Sequence, residues 1–117
     1  MSKIAGIVRI KANGLLLESK PGATLDLGGK ERELKAGHRV YGFTEKVVPA
    51  MCTCTVYWKA GTPLETLREM TEGLITFEAD IGETYQISNA TLTKTLKVKD
   101  ETGEVDLEFG GDAAEFQ

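Results

Sequence analysis

The sequence predicts a mainly β protein: an antiparallel β-sandwich or small barrel with one short flanking α-helix and a long early loop. Three observations predict it. Short runs of alternating apolar and polar residues recur along the chain between clusters of Gly, Pro, Asn and Asp. Several of those clusters have hairpin-turn chemistry, among them Asn13-Gly14 and Asp80-Ile81-Gly82. A helical period begins only once, after Gly61-Thr62-Pro63. At 117 residues one domain spanning residues 1–117 is expected, with a real though modest core.

Ile4–Lys11 and Leu15–Ser19 flank Asn13-Gly14, whose two positions suit the positive φ values of a type I′ turn. Counting outward from that turn sets Ala12 against Leu15, Ile10 against Leu17 and Arg9 against Glu18, apolar pairs on one face and a charge pair on the other. The stretch Lys20–Lys46 is far too long for a hairpin turn. Pro21-Gly22 breaks it, Ala23–Leu27 alternates like a short strand, and Gly28-Gly29 breaks it again before the charges Lys30, Glu31, Arg32, Glu33 and Lys35, with Leu34 among them. Loops longer than about 12–15 residues in compact domains are usually functional or disordered. The segment is therefore either a solvated loop or an arm ordered against another molecule, and interspersed charges of both signs suit register-specific pairing across an interface.

Val40–Lys46 and Ala50–Lys59 are expected as strands. In the second, Cys52, Cys54, Val56 and Trp58 share one face, so Trp58 is expected in the core and both cysteines as buried free thiols, since neighbours on one strand face are poorly placed for a disulfide. Thr62 is expected as N-cap, Pro63 at the first helical position and Glu65 completing a capping box. The helix is expected over residues 63–72, with Leu64, Leu67 and Met70 facing the core and Gly73 ending it. Leu74–Ala79 and Glu83–Ser88 form the next hairpin, with register Phe77 to Tyr85 and Ile75 to Ile87 on one face. Glu78 to Thr84 and Thr76 to Gln86 fall on the other, a polar face that carries a carboxylate and is expected to have no Lys or Arg at all. A four-residue loop, Asp100–Gly103, aligns Val98 with Val105, Lys99 with Glu104 and Lys97 with Asp106 in the last hairpin. Residues 111–117 are an acidic tail, expected frayed or interfacial.

Asp and Glu outnumber Lys and Arg by 18 to 14, and the basic residues do not gather into an aromatic-interleaved patch, which argues against sequestering nucleic acid by counterion release. No apolar run approaches the roughly 20 residues of a membrane span, and Met1-Ser2-Lys3 does not open a secretory signal, so a soluble, cytoplasmically made chain is expected. His38, the single histidine, lies in a Gly-flanked charged loop with no nucleophile at a recognisable spacing. Gly28-Gly29 lacks the strand-to-helix setting of a phosphate cradle, and Asp100, Glu101, Glu104 and Asp106 lack EF-hand spacing. No catalytic residue, metal or cofactor is expected.

Pro21–Gly29 (PGATLDLGG), Gly42–Ala50 (GFTEKVVPA) and a helix followed by Thr76–Tyr85 (TFEADIGETY), in this order and separation, resemble the tail tube proteins of Mu-like bacteriophages and prophages. The resemblance covers nearly the whole chain; Met51–Cys54 and Ala113–Gln117 depart from the pattern. It implies a sandwich whose inner sheets join around a six-fold axis, with hexameric rings stacked into a hollow tube through which double-stranded DNA passes during ejection. It implies that the arm, residues 28–39, contacts the neighbouring ring through Gly28, Gly29, Lys30, Glu31, Arg32, Glu33, Leu34 and Lys35. Its implied partners are further copies of itself, tape measure, tail terminator and baseplate or tip proteins, and sheath where one is present. Its location would be the virion tail. Thr76, Glu78, Thr84 and Gln86 are the candidates for lining the channel, where a face without basic side chains denies phosphates their contacts. Two other readings stand beside this one: a ring-forming sandwich of an effector-carrying secretion tube or adaptor module, and a small hydrolase using acids of the arm or of the Glu78 face.

Overall fold

The computed structural model describes residues 2–117 as eleven strands and one short helix. The strands are β1 (Val8–Ala12), β2 (Leu15–Leu17), β3 (Thr24–Asp26), β4 (Gly29–Ala36), β5 (Val40–Val48), β6 (Ala50–Tyr57), β7 (Gly73–Ala79), β8 (Thr84–Leu92), β9 (Lys97–Lys99), β10 (Glu104–Gly111) and β11 (Glu115–Phe116). The helix α1, Leu64–Arg68, lies between β6 and β7. All strand pairs are antiparallel, so the mainly β antiparallel expectation holds.

One continuous hydrogen-bonded sheet runs β2-β1-β7-β8-β10-β6-β3, with β11 added on β8 and β9 on β10. It folds over on itself. Ile10, Ala12, Leu17, Ile75 and Ile87 from one half pack in a single core with Cys52, Cys54, Val56, Val105, Leu107 and Phe109 from the other. The bend falls in β8, which pairs with β7 up to Ala90 and with β10 at Thr91 and Leu92, next to Asn89 in a left-handed conformation (φ 53°). Leu67 of α1 and Met70 just beyond it close one side of this core.

Turn chemistry set the registers where it is local. Asn13 and Gly14 have φ of 50° and 83°, and β1 and β2 pair Ala12 with Leu15 and Ile10 with Leu17. β7 and β8 pair Phe77 with Tyr85, Ile75 with Ile87, Glu78 with Thr84 and Thr76 with Gln86. β9 and β10 pair Val98 with Val105, Lys99 with Glu104 and Lys97 with Asp106.

Other local expectations are corrected. Arg9 does not meet Glu18, because β2 stops at Leu17; Glu18 pairs with Lys59 at 2.6 Å and Arg9 lies across from Glu78. Trp58 is 52% exposed, because β6 ends at Tyr57 and the Trp58 N–H turns to Gly103 O. The helix is shorter than expected, and the Thr62 hydroxyl does not cap it: it accepts from Lys59 N at 3.1 Å instead. Glu72, not Gly73, adopts the left-handed turn (φ 53°), since Gly73 already starts β7 beneath Met70, where a Cβ would sit 2.8 Å from Met70 Cγ. The C-terminal residues are not frayed: Glu115 pairs with Gln86 and Phe116 with Tyr85.

The largest difference concerns the early loop. Residues 29–48 form a two-stranded ribbon, β4 with β5, that belongs to no larger sheet. Its base is fixed by β3, which pairs with β6 through Asp26 and Met51 before the ribbon leaves and after it returns. Gly28 (φ 67°) makes the departure; its Cβ would lie 2.6 Å from Ala50 N and 2.8 Å from Val48 O, so glycine alone fits. Eight residues of strand project about 26 Å at about 3.3 Å per residue. The chain is accordingly elongated, 61 × 39 × 27 Å with a radius of gyration of 17.0 Å, against about 13 Å for a compact domain of this length.

Candidate assembly surfaces

The ribbon places all eight predicted arm residues, Gly28 to Lys35, at or along its first strand. Pairing puts Lys30 beside Val47, Arg32 beside Glu45 and Leu34 beside Phe43 on one face, and Glu31 beside Lys46, Glu33 beside Thr44 and Lys35 beside Gly42 on the other. The two faces differ in chemistry. On the first, Leu34, Phe43 and Val47 stand 67%, 56% and 79% exposed, the Arg32 guanidinium lies 5.9 Å from the Phe43 ring centre, and Glu45 lies 3.8 Å from Lys30 and 3.9 Å from Arg32. The second carries alternating charges, with Lys35 and Glu33 at 3.1 Å. At the tip the Tyr41 hydroxyl lies 3.1 Å from His38 Nδ1 and Arg39 stacks 5.3 Å from the Tyr41 ring centre. Ion pairs this exposed hold little stability, and no part of the core reaches the apolar face. Val40–Lys46, expected as a strand, is the second strand of this ribbon and is solvent-exposed except at Gly42.

A second surface is the outward face of β1, β7, β8 and β11. Register brings Thr76, Glu78, Thr84 and Gln86 together there, as the hairpin count requires. The face is not free of basic residues, however. β1 pairs with β7 so that Arg9 lies opposite Glu78 and Lys11 opposite Thr76. Lys11 Nζ sits 3.2 Å from Glu78 Oε1, and Glu115 of β11 lies opposite Gln86. The hairpin itself places no Lys or Arg there; its neighbour, from a distant part of the sequence, supplies two.

The outward face of β6 and β10 carries a row of carboxylates, Glu104, Asp106 and Glu108, each held by a hydroxyl or an ammonium. Lys20 approaches Glu104 to 2.7 Å, Thr55 Oγ1 donates to Asp106 at 2.9 Å, and Thr93 Oγ1 donates to Glu108 at 2.8 Å. Lys99 and Lys94 add ion pairs to Asp106 and Glu108 at 3.2 and 3.1 Å. The Lys20 hydrogen bond lowers the Glu104 pKa, and the Thr55 and Thr93 hydrogen bonds lead in lowering those of Asp106 and Glu108. The expected Lys99 to Glu104 contact is replaced by Lys99 to Asp106, because Lys20 reaches Glu104 from the chain before β3. Among the described residues no group of three or more His, Cys, Asp or Glu side chains is arranged to hold a metal. Cys52 and Cys54 are buried and free, with burial pushing their thiols up to about 11 and about 12.

The fold is shared with components of an extracellular contractile injection system. A chain in the structure of that system's sheath/tube terminator in the extended state superposes with a TM-score of 0.65 at 13% identity, covering 94% of this chain and 92% of the other. A chain of its sheath-tube complex gives 0.61 at 13% identity, covering 94% and 87%. In sequence, the Mu-like prophage FluMu tail tube protein of Haemophilus influenzae is 40% identical over 94 residues, 80% of each chain. The tail tube protein of Escherichia phage Mu is 32% identical over 102 residues, 87% of this chain and 85% of its own. The family model described as phage tail tube protein matches residues 1–115. This chain belongs to the phage tail tube protein family, structural components of the virion tail.

Proposed function

We propose that copies of this chain close into hexameric rings that stack into a hollow tube for the passage of double-stranded DNA, and that the ribbon joins one ring to the next. The observation that carries this reading is the ribbon's bare apolar face, Leu34, Phe43 and Val47, held away from the core on a stem fixed by β3 and β6. Solvent exposure of three large apolar side chains on one ribbon face is unfavourable unless a partner covers them. Short strands end the folded sheet, β2 on one side and β3 on the other, and pairing of these edges with neighbours would complete the ring. Contacts of this head-to-tail kind extend without limit until a terminator caps them, and tape measure, baseplate or tip proteins, and sheath where present, would meet the tube at its ends, bore and outside.

Thr76, Glu78, Thr84 and Gln86 would line the channel. Replacing residues 30–47 by a short Gly-Ser turn tests the stacking role. The variant should stay folded and form no long tubes by negative-stain microscopy at concentrations where the parent does; tubes of normal length would reject the role. An effector-carrying tube shares the fold, and would be favoured by short stacks that retain protein cargo.

A further inference from the structure

On the outward face of β1, β7, β8 and β11, two cations, Arg9 and Lys11, stand among two carboxylates, Glu78 and Glu115. Glu78 is placed to answer both cations: Arg9 is its cross-strand partner and Lys11 Nζ lies 3.2 Å from its Oε1. The Lys11 and Glu78 side chains are 38% and 31% exposed, so their pairing adds little to stability and its effect lies in the charge presented to whatever faces the sheet. We infer that Glu78 masks Lys11 and Arg9, so that a surface containing basic side chains offers phosphates no net positive contact. The inference rests on the proposal that this face lines the channel. It differs from repulsion by a surplus of acid: Arg9 and Lys11 against Glu78 and Glu115 sum to zero, Asp80 beside Arg9 and Glu78 is matched by Lys3 at 3.4 Å, and removing Glu78 leaves a surplus of one cation per copy. Repeated around a ring and along a stack, that surplus would meet a duplex carrying one charge per about 1.7 Å, where each phosphate neutralised adds about −0.9 to the slope of log affinity against log salt.

The test uses assembled tubes of the full chain, short double-stranded DNA as probe, and retention measured from low to high salt. Parent tubes should retain none, and E78Q tubes at least about tenfold more at low salt, lost as salt rises. R9Q/K11Q/E78Q should return to parent behaviour. Equal retention by parent and E78Q overturns the masking role, as does retention unchanged in the triple variant. Should E78Q not assemble, K11E/E78K keeps the ion pair with its ends exchanged; it should remain non-adhesive, and DNA retention by it overturns the inference. The luminal reading is tested separately by T84C, since the two native thiols are buried. In finished tubes a small maleimide should label it and a gold-bearing one wider than the bore should not. Labelling by the large reagent removes the luminal reading, whereas E78Q failing with the small label admitted removes masking alone.

Discussion

The ribbon's apolar face supports a quantitative expectation for L34S/F43S. Full burial of a Leu or Phe side chain stabilises by about 1.5–3 kcal/mol. Leu34 and Phe43 are 67% and 56% exposed in the free subunit, so docking can recover a little over half of that from each. The double variant should weaken each docked ribbon by about 2–4 kcal/mol, an upper range because a partner surface never covers every atom. At 1.4 kcal/mol per factor of ten, the critical concentration for tube growth should rise by roughly 30- to 1000-fold. Subunit stability should change by less than about 0.5 kcal/mol, because neither side chain touches the core. Critical concentration is read by sedimentation across a dilution series, and stability by urea unfolding of unassembled protein. Growth at the parent concentration would refute the docking role of this face. A large loss of subunit stability would refute its independence from the core.

Phe109 is fully buried at the centre of the core, and F109A should destabilise the subunit by about 3–5 kcal/mol in the same urea assay. G28A should cost about 2 kcal/mol or more, from the left-handed backbone and from the backbone atoms of Val48 and Ala50 that its Cβ would meet, and a neutral effect would show the ribbon's departure to be adaptable. The Glu104, Asp106 and Glu108 pKa values are lowered in the folded state, so their stabilisation is complete above the ordinary carboxylate values of 4.5 and 3.8 and is lost as pH falls through the lower folded ones. Acid unfolding should therefore begin below about pH 4.5, and E108Q should flatten that limb of the profile. Burial of Cys52 and Cys54, with thiols pushed up to about 11 and about 12, should leave both unreactive to a thiol reagent at pH 8 until the protein is unfolded.

Sequence legibility followed locality. Asn13-Gly14, Asp80–Gly82 and Asp100–Gly103 encode their own turns, and each turn fixes the register of the strands beside it. Of the two ribbon strands only the second, Val40–Lys46, is legible as a strand; Lys30–Lys35 buries no face and so has no apolar alternation to read, and its pairing with β5 is visible only in three dimensions. Trp58 follows the alternation of β6 but lies one residue past its end, where the backbone turns toward Gly103. The charge of the Glu78 face was hidden for another reason: Arg9 and Lys11 are nearly seventy residues away along the chain and arrive by β1 pairing with β7. Glycine at position 73 suggested a helix terminator and serves instead to let Met70 lie against the strand.

A lone two-stranded ribbon holds its shape only marginally in water. A free subunit is therefore expected to fray at that stem, and if the ribbon docks as proposed, starting a stack would mean ordering it at the moment of first contact, when few neighbours reward the loss of freedom. An existing end would present its receiving surfaces already fixed. Growth should thus show a lag that preformed seeds abolish, and a lag of this kind would keep subunits dispersed until a first layer is supplied.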